Sequence, residues 1–390
     1  MKIYEIGTGY TSIPAQMGAA TEIVVEELTR SFLKLNKDVE IIDVADDNRA
    51  ETDLPIMDVK VPSMFTKADV SLGIVHKLKR VVYSVALAQK LSKILKNSKE
   101  EIVLHFHNQY NMFFFLKIVP EKYRKKAKTA YTVHSYIWGT KWEEIESTIK
   151  KKYFQEVYCV KNADVVFVLN DITKEHFVNR LEVSRENIFK IINGVSLDKY
   201  KPLDAIQLDN IKNALDLNNK KIIFQVGSIC ERKNQLGSLE LLCEYMQEHS
   251  EVVYMYAGGV IDGEYQRSII NLAKEKGLKD QVIYIGELTP GNQLNEYYNI
   301  ADCSVFTSKL ESFGLVIVEA IAAGTSVVVS GKPMFELEHG YYVYSNKDEF
   351  IDIINRMLND SILSKADNQE VIDKYDWDSV AKNYLKVFEN

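Results

Sequence analysis

Lys220-Lys221-Ile222-Ile223-Phe224-Gln225-Val226-Gly227 is a short apolar run closed by a glycine, and it repeats the way the chain opens, Met1-Lys2-Ile3-Tyr4-Glu5-Ile6-Gly7. Neither run alternates apolar with polar residues. Continuous short runs of this kind read as parallel strands buried on both faces. Two such openings mean that the pattern starts twice. The stretch before the second one, 196–219, is polar, holds Pro202 and shows no strong period, so the connection between two domains is expected there. A length of 390 residues fits two domains at ~100–200 residues each.

Working outward, strands are expected at 2–6, 39–44, 102–106, 129–133, 164–169, 188–192, 221–227, 252–257, 281–285, 302–306 and 325–329. Helical patterns lie between them. In 74–95, Ile74, Leu78, Val81, Val82, Val85, Leu91, Ile94 and Leu95 form one stripe, with Lys77, Arg80, Lys90, Lys93 and Lys96 largely outside it. Repeated strand–helix alternation implies doubly wound sheets, whose ligands bind at the carboxyl ends of the strands. The expected class is α/β, with a domain over 1–200, a second over 201–372, and a last amphipathic helix over 373–390 that carries Val380, Tyr384, Leu385, Val387 and Phe388.

Composition excludes several classes. Apolar residues at 46% and charged residues at 26% are ordinary for a globular chain and argue against disorder. No stretch approaches the ~18 uninterrupted apolar residues of a spanning helix, and the opening is too short for a signal peptide, so a cytoplasmic location is expected. Cys159, Cys230, Cys243 and Cys303 lie far apart and read as reduced thiols rather than disulfides or a zinc site. No GxxxxGK[ST] is present, which disfavours a P-loop NTPase. The net charge of −7 is uneven: residues 67–130 hold 14 Lys or Arg against 4 acids, a local +10. That segment could face anionic lipid headgroups or a phosphorylated acceptor, or be a solvated face balanced by acids elsewhere.

The strongest chemical signal is Glu311-Ser312-Phe313-Gly314-Leu315-Val316-Ile317-Val318-Glu319-Ala320, a loop entering a helix after the run 301–306. Gly314 permits close backbone approach, and the first helical turn leaves N–H groups available to an anion. A loop carboxylate could accept sugar hydroxyls; a carboxylate two turns on could accept ribose. Around this element stand Ala320-Ile321-Ala322-Ala323-Gly324-Thr325, Gly227-Ser228-Ile229-Cys230-Glu231-Arg232-Lys233-Asn234-Gln235, Tyr256-Ala257-Gly258-Gly259 and Val282-Ile283-Tyr284-Ile285-Gly286.

In the order and spacing of these elements the second half resembles the family 4 retaining glycosyltransferases of the GT-B fold, whose E-x7-E element matches Glu311 through Glu319. The first half resembles them more loosely. The resemblance implies two Rossmann-like domains facing each other across a cleft, with the last helix packing back toward the first domain. It implies a nucleotide-sugar donor, most commonly a UDP-sugar. Glu311 would hold donor hydroxyls and Glu319 the ribose. Backbone at Ser312, Phe313, Gly314 and Leu315 would face diphosphate or sugar, and Lys233 would neutralise the diphosphate. Gly227, Ser228, Gly258, Gly286 and Leu288 fall on the donor-side loops. The family usually has Arg where this chain has Ser228, and Arg232 could supply that charge or face solvent. The loop Ser330-Gly331-Lys332-Pro333-Met334-Phe335-Glu336 also departs from its relatives.

In the first half, Gly18 and Ala19 stand where relatives carry a glycine pair near the donor phosphates. His134 matches a strand-end histidine near the reacting sugar and acceptor, so Glu311, Lys233 and His134 are the catalytic candidates. His105 and His107 share one strand face, but no further metal ligand is evident, and no metal or other cofactor is expected. Asn193-Gly194-Val195 resembles a junction turn. Asp376-Trp377-Asp378 reads as the start of the last helix rather than a metal-binding DxD.

The resemblance implies a front-face reaction in which the departing phosphate takes the acceptor proton. The expected acceptor is a glycan or lipid-linked molecule in polysaccharide or glycoconjugate assembly, with peripheral contact of 67–130 with anionic membrane and no nucleic-acid partner. Two alternatives stay open: a non-catalytic partner subunit of another transferase, and another enzyme on the same fold, such as a sugar-nucleotide epimerase or a phosphorylase.

Overall fold

The structure, a computed structural model, describes residues 1–15, 19–62, 74–331 and 336–390, with backbone alone at 74–76 and 361–362. The chain forms two compact units, Met1–Gly194 with Trp377–Asn390, and Val195–Asp376.

The first unit holds a seven-stranded sheet: β1 (Lys2–Ile6), β2 (Asp38–Val44), β3 (Ile56–Val59), β4 (Ile102–Phe106), β5 (Ala127–Val133), β6 (Val165–Val168) and β7 (Ile188–Lys190). Their order is β3-β2-β1-β4-β5-β6-β7, and all pairs are parallel. The second unit holds β8 (Lys221–Val226), β9 (Val252–Ala257), β10 (Val282–Gly286), β11 (Cys303–Phe306), β12 (Val327–Ser330) and β13 (Tyr341–Tyr344) in the order β10-β9-β8-β11-β12-β13, again parallel. Both are Rossmann orders, in which the direction of winding reverses beside the first strand. In each unit that switch point lies at the carboxyl ends of the first and fourth strands, β1 with β4 and β8 with β11. This is the doubly wound α/β architecture of the GT-B fold.

The central strands are buried on both faces because nearly every residue in them is apolar: all of Ile102–Phe106 and Val252–Ala257 are buried. Helices cover both faces. The long helix Ile74–Asn97 buries Tyr83, Ser84, Leu87, Ala88, Leu91 and Leu95, a face rotated from the stripe read in the sequence, and leaves Leu78 51% exposed. Two buried polar residues explain the rotation. The Tyr83 hydroxyl reaches the Gly7 carbonyl at 3.3 Å, and the Ser84 hydroxyl donates to Asn111 Oδ1 at 2.8 Å. Each finds a partner inside that a valine would not need.

The last helix, Trp377–Phe388, buries Trp377, Val380, Ala381, Tyr384, Leu385 and Phe388 in one cluster with Ile3, Val24, Leu28 and Phe32 of the first unit. Gly194 sits against the Trp377 ring, where an added Cβ would lie 2.4 Å from it. The expected strands recur in place, with two additions, β3 and β13. Each is the outermost strand of its sheet.

Candidate functional site

In the second unit, three segments meet at the carboxyl ends of β8 and β11. The loop after β8 carries Gly227 and Ser228 and ends in a short 3-10 turn, Glu231–Lys233. The loop after β11 carries Glu311. Helix Leu315–Ala322 follows, entered through Gly314 at φ +93, a left-handed value that favours glycine.

Lys233 Nζ lies 2.6 Å from Glu311 Oε1, and Arg232 Nη1 lies 2.7 Å from the same oxygen. Arg232 Nη1 also reaches the Leu310 carbonyl at 3.1 Å. The two loops are tied by backbone as well, through Lys309 N–H to the Arg232 carbonyl at 2.9 Å. Gln225 fixes the base of the lysine, its Nε2 donating to the Lys233 carbonyl at 2.9 Å. Arg232, left open between donor charge and solvent by the sequence, is thus turned onto Glu311. Among the described residues, the N–H groups of Phe313, Gly314 and Leu315 have no protein acceptor. Gly314 and Leu315 are orphan donors of the helix start, and Phe313 lies just before it. Two cations thus close on one carboxylate, on a loop that runs into three N–H groups without a protein acceptor, a set of groups that suits an anionic, hydroxyl-bearing ligand.

The glycines hold this region open. Gly258, at φ +139, follows β9; a Cβ there would lie 2.2 Å from the Gly227 carbonyl oxygen. Gly286 ends β10, and Leu288 beyond it is buried. Ser312 flanks Glu311 on the same loop, and Phe313 packs its ring 5.9 Å from that of Tyr375.

Glu319 is 5% exposed, one turn into the helix. The Tyr298 hydroxyl stands 3.2 Å from Glu319 Oε2 and 3.2 Å from the Val316 carbonyl. Burial pushes the Glu319 carboxyl up to about 7, against hydrogen bonds from Tyr298 and Tyr200 and the pull of Lys233. Tyr298 and Tyr200 were not read as site residues in the sequence. The signal for them was weak, since a buried carboxyl near an aromatic stretch demands a donor without saying which.

In the first unit, the carboxyl ends of β1, β4 and β5 bring together a buried polar chain. Glu5 and His105 are register partners on β1 and β4. His105 Nδ1 is 2.9 Å from Glu5 Oε1, and His107 Nε2 is 2.7 Å from Glu5 Oε2. On the outer sides, His105 Nε2 meets Thr132 Oγ1 at 2.7 Å and His107 Nδ1 meets His134 Nε2 at 3.0 Å. The two histidines do share a face, with ring centroids 4.1 Å apart. What the sequence reading lacked is Glu5, a third group whose ligand atom lies within 4.8 Å of theirs. The carboxylate oxygens sit at hydrogen-bond distance from the ring nitrogens, so the contacts are N–H donations to an acceptor-only group. The histidines hold the Glu5 carboxyl down at about 2 against its burial, and burial with His105 lowers His107 to about 4. Burial and the neighbouring rings place His134 well below the usual histidine value.

The loop carrying His134 is pinned by Glu156, also missed in the sequence. Its Oε1 accepts from the Tyr131 and Ser135 hydroxyls, each at 2.8 Å, and its Oε2 accepts from Trp138 Nε1 at 2.8 Å. Ala19 caps helix Ala20–Lys34 without a side-chain hydrogen bond. Gly18, and 332–335 of the loop after β12, lie outside the described residues. The four cysteines are unpaired, and only Cys230 is not buried. No described helix is long and apolar enough to cross a membrane.

Comparison with known proteins supplies the class. The model of Glycosyl transferases group 1 matches residues 208–374, and that of Glycosyltransferase Family 4 matches residues 21–199. The chain belongs to the family 4 glycosyltransferases of the GT-B fold. It is 25% identical over 414 residues to the spore coat protein SA of Bacillus subtilis, covering 100% of this chain and 99% of that one. It is 28% identical over 244 residues to the lipopolysaccharide 1,2-N-acetylglucosaminetransferase of Salmonella typhimurium, covering 58% of this chain and 62% of that protein's length. Among solved structures it is similar to Anabaena HepE in complex with UDP and glucose, with a TM-score of 0.74, 16% identity and full coverage of both chains.

Proposed function

We propose that this chain transfers a hexose or N-acetylhexosamine from a UDP-sugar to a glycan or lipid-linked acceptor, with retention of anomeric configuration and without a metal ion. The observation that carries the reading is the Lys233–Glu311–Arg232 cluster beside the N–H groups of Phe313, Gly314 and Leu315. A nucleoside diphosphate leaves as an anion, and preorganised cations and amides stabilise the charge that develops on it. Lys233 and the helix start face that charge. Glu311 accepts hydroxyls of the donor sugar, and Glu319 accepts the ribose. The anomeric C–O bond to the diphosphate breaks, the acceptor oxygen bonds to the same carbon on the same face, and the acceptor proton passes to the departing phosphate oxygen. The HepE structure, which holds UDP and glucose on this fold, supports the donor class. The Salmonella relative, named for lipopolysaccharide, supports the acceptor class. Peripheral contact of 67–130 with anionic membrane at the cytoplasmic face completes the proposal.

The test is a thermal-shift screen across UDP-, GDP- and ADP-sugars, followed by detection of released nucleoside diphosphate with a stoichiometric glycoside, in the presence of chelator. A requirement for added Mn²⁺ would remove the metal-free scheme.

Two observations favour a second reading, a non-catalytic partner of another transferase. Ser228 stands where the family usually has arginine, and a relative matched over the whole chain bears the name of a coat protein. Slow hydrolysis of a nucleotide sugar by the isolated chain would decide against it.

A further inference from the structure

His134 belongs to a hydrogen-bonded chain that reaches from Tyr384 in the last helix to the end of β5. The order is Tyr384, Thr132, His105, Glu5, His107, His134, with the first contact at 3.5 Å. Glu5, His105 and Thr132 are fully buried, and His107 is 4% exposed. His134 is only partly buried, and its Nδ1 has no protein partner among the described residues.

We propose that Glu5 and His107 are positioning residues that hold His134 as its Nε2–H tautomer, leaving Nδ1 as a lone-pair acceptor for a carbohydrate hydroxyl. Counting hydrogens along the chain fixes the tautomer. An ionised carboxylate only accepts, so both ring nitrogens facing Glu5 carry their protons. A neutral imidazole has one N–H. His107 therefore spends its proton on Glu5 and offers a lone pair at Nδ1. The 3.0 Å contact to His134 can then form only if His134 Nε2 is the donor. That leaves the unpartnered Nδ1 of His134 without a hydrogen. On the other branch the same count makes His105 Nε2 an acceptor for the Thr132 hydroxyl. The orientation of a chemically active histidine is commonly set by the bond its other nitrogen makes. Here the setting is transmitted through a second histidine. Charging His107 would reverse the chain, and burial disfavours that charge. The identity of the hydroxyl rests on the transfer reaction proposed above; the tautomer does not.

The test is ¹⁵N–¹H correlation spectroscopy of the full chain labelled at its seven histidines, with His134 assigned by loss of its signals in His134→Gln. The wild type should show His134 with Nε2 protonated and Nδ1 bare at pH 7.5. His107→Gln should retain this pattern, because an amide spans O–C–N as imidazole spans N–C–N and can donate to Glu5 while accepting from His134. His107→Leu should release it to a mixture of tautomers. In transfer assays kcat should fall at least about tenfold in His107→Leu and return toward wild type in His107→Gln, with the donor KM unchanged. A wild-type His134 protonated at Nδ1, or a tautomer unmoved in His107→Leu, would overturn the proposal, and the wild-type spectrum alone suffices if that variant does not fold. Absence of any transfer with the predicted spectra would instead count against the reaction.

Discussion

Lys233 Nζ and Glu311 Oε1 stand 2.6 Å apart at the carboxyl ends of β8 and β11, joined by an ion pair that Arg232 shares. Neither loop is positioned by the other alone. The shared backbone bond from Lys309 and the anchoring of Gln225 mean that the sheet's switch point sets the pair.

Replacing Lys233 by alanine leaves Glu311 its contact with Arg232, so the loop should keep its shape. Transfer should not survive as well, because the diphosphate loses a direct cation. We expect kcat/KM to fall about 10²–10³-fold with native circular dichroism, measured by steady-state release of nucleoside diphosphate. A loss under threefold would show that Lys233 does not face the leaving group.

Glu319 gives a pH test with a fixed sign. Its carboxyl is raised to about 7 in the folded chain, so folding retains a proton that the unfolded chain releases from about 4.5 upward. That contribution to stability is present at low pH and is lost as pH rises through about 7. Glu319→Gln, which mimics the protonated form, should gain Tm relative to wild type on going from pH 5 to pH 8. A difference between the two melting curves that stays constant over that range would contradict the burial argument.

Gly258 tests the close approach of two backbones. An alanine there would place Cβ 2.2 Å from the Gly227 carbonyl at φ +139. Gly258→Ala should cost about 2–3 kcal/mol in chemical denaturation and weaken donor binding, since Gly227 must move. Unchanged stability would mean that the contact relaxes freely.

Much of the fold was legible because central parallel strands are unbroken apolar runs. The two strands that were not legible, Ile56–Val59 and Tyr341–Tyr344, are edges, half-exposed and therefore mixed in composition. Helix Ile74–Asn97 shows the same limit from the other side. Its buried face includes Tyr83 and Ser84, and only the partners on Gly7 and Asn111 make them core residues. In the second unit the E-x7-E spacing pointed at Glu311 and Glu319 directly, because their positions are set by one loop and one helix. In the first unit the key acid was hidden. Glu5 lies in an otherwise apolar strand, and a buried acid requires a partner, but the partner arrives through the register of β1 with β4, about one hundred residues away in sequence. An acid in a first buried strand and two histidines spaced by one residue were the available signals, and each needed the other.

Glu156 should show how firmly the His134 loop is held. Removing its carboxylate strands the Tyr131 and Ser135 hydroxyls and the Trp138 N–H together. Glu156→Ala should lose roughly 3–5 kcal/mol, read from denaturant midpoints, with Glu156→Gln intermediate. A loss below about 1 kcal/mol would mean that these donors find other acceptors.

The decisive measurement is isothermal titration of the full chain with a UDP-sugar in EDTA, wild type beside Lys233→Ala. The account predicts saturable binding at one site in the wild type and at least tenfold weaker binding in the variant. Equal affinity in both proteins, or binding that appears only when a divalent metal is restored, would contradict it.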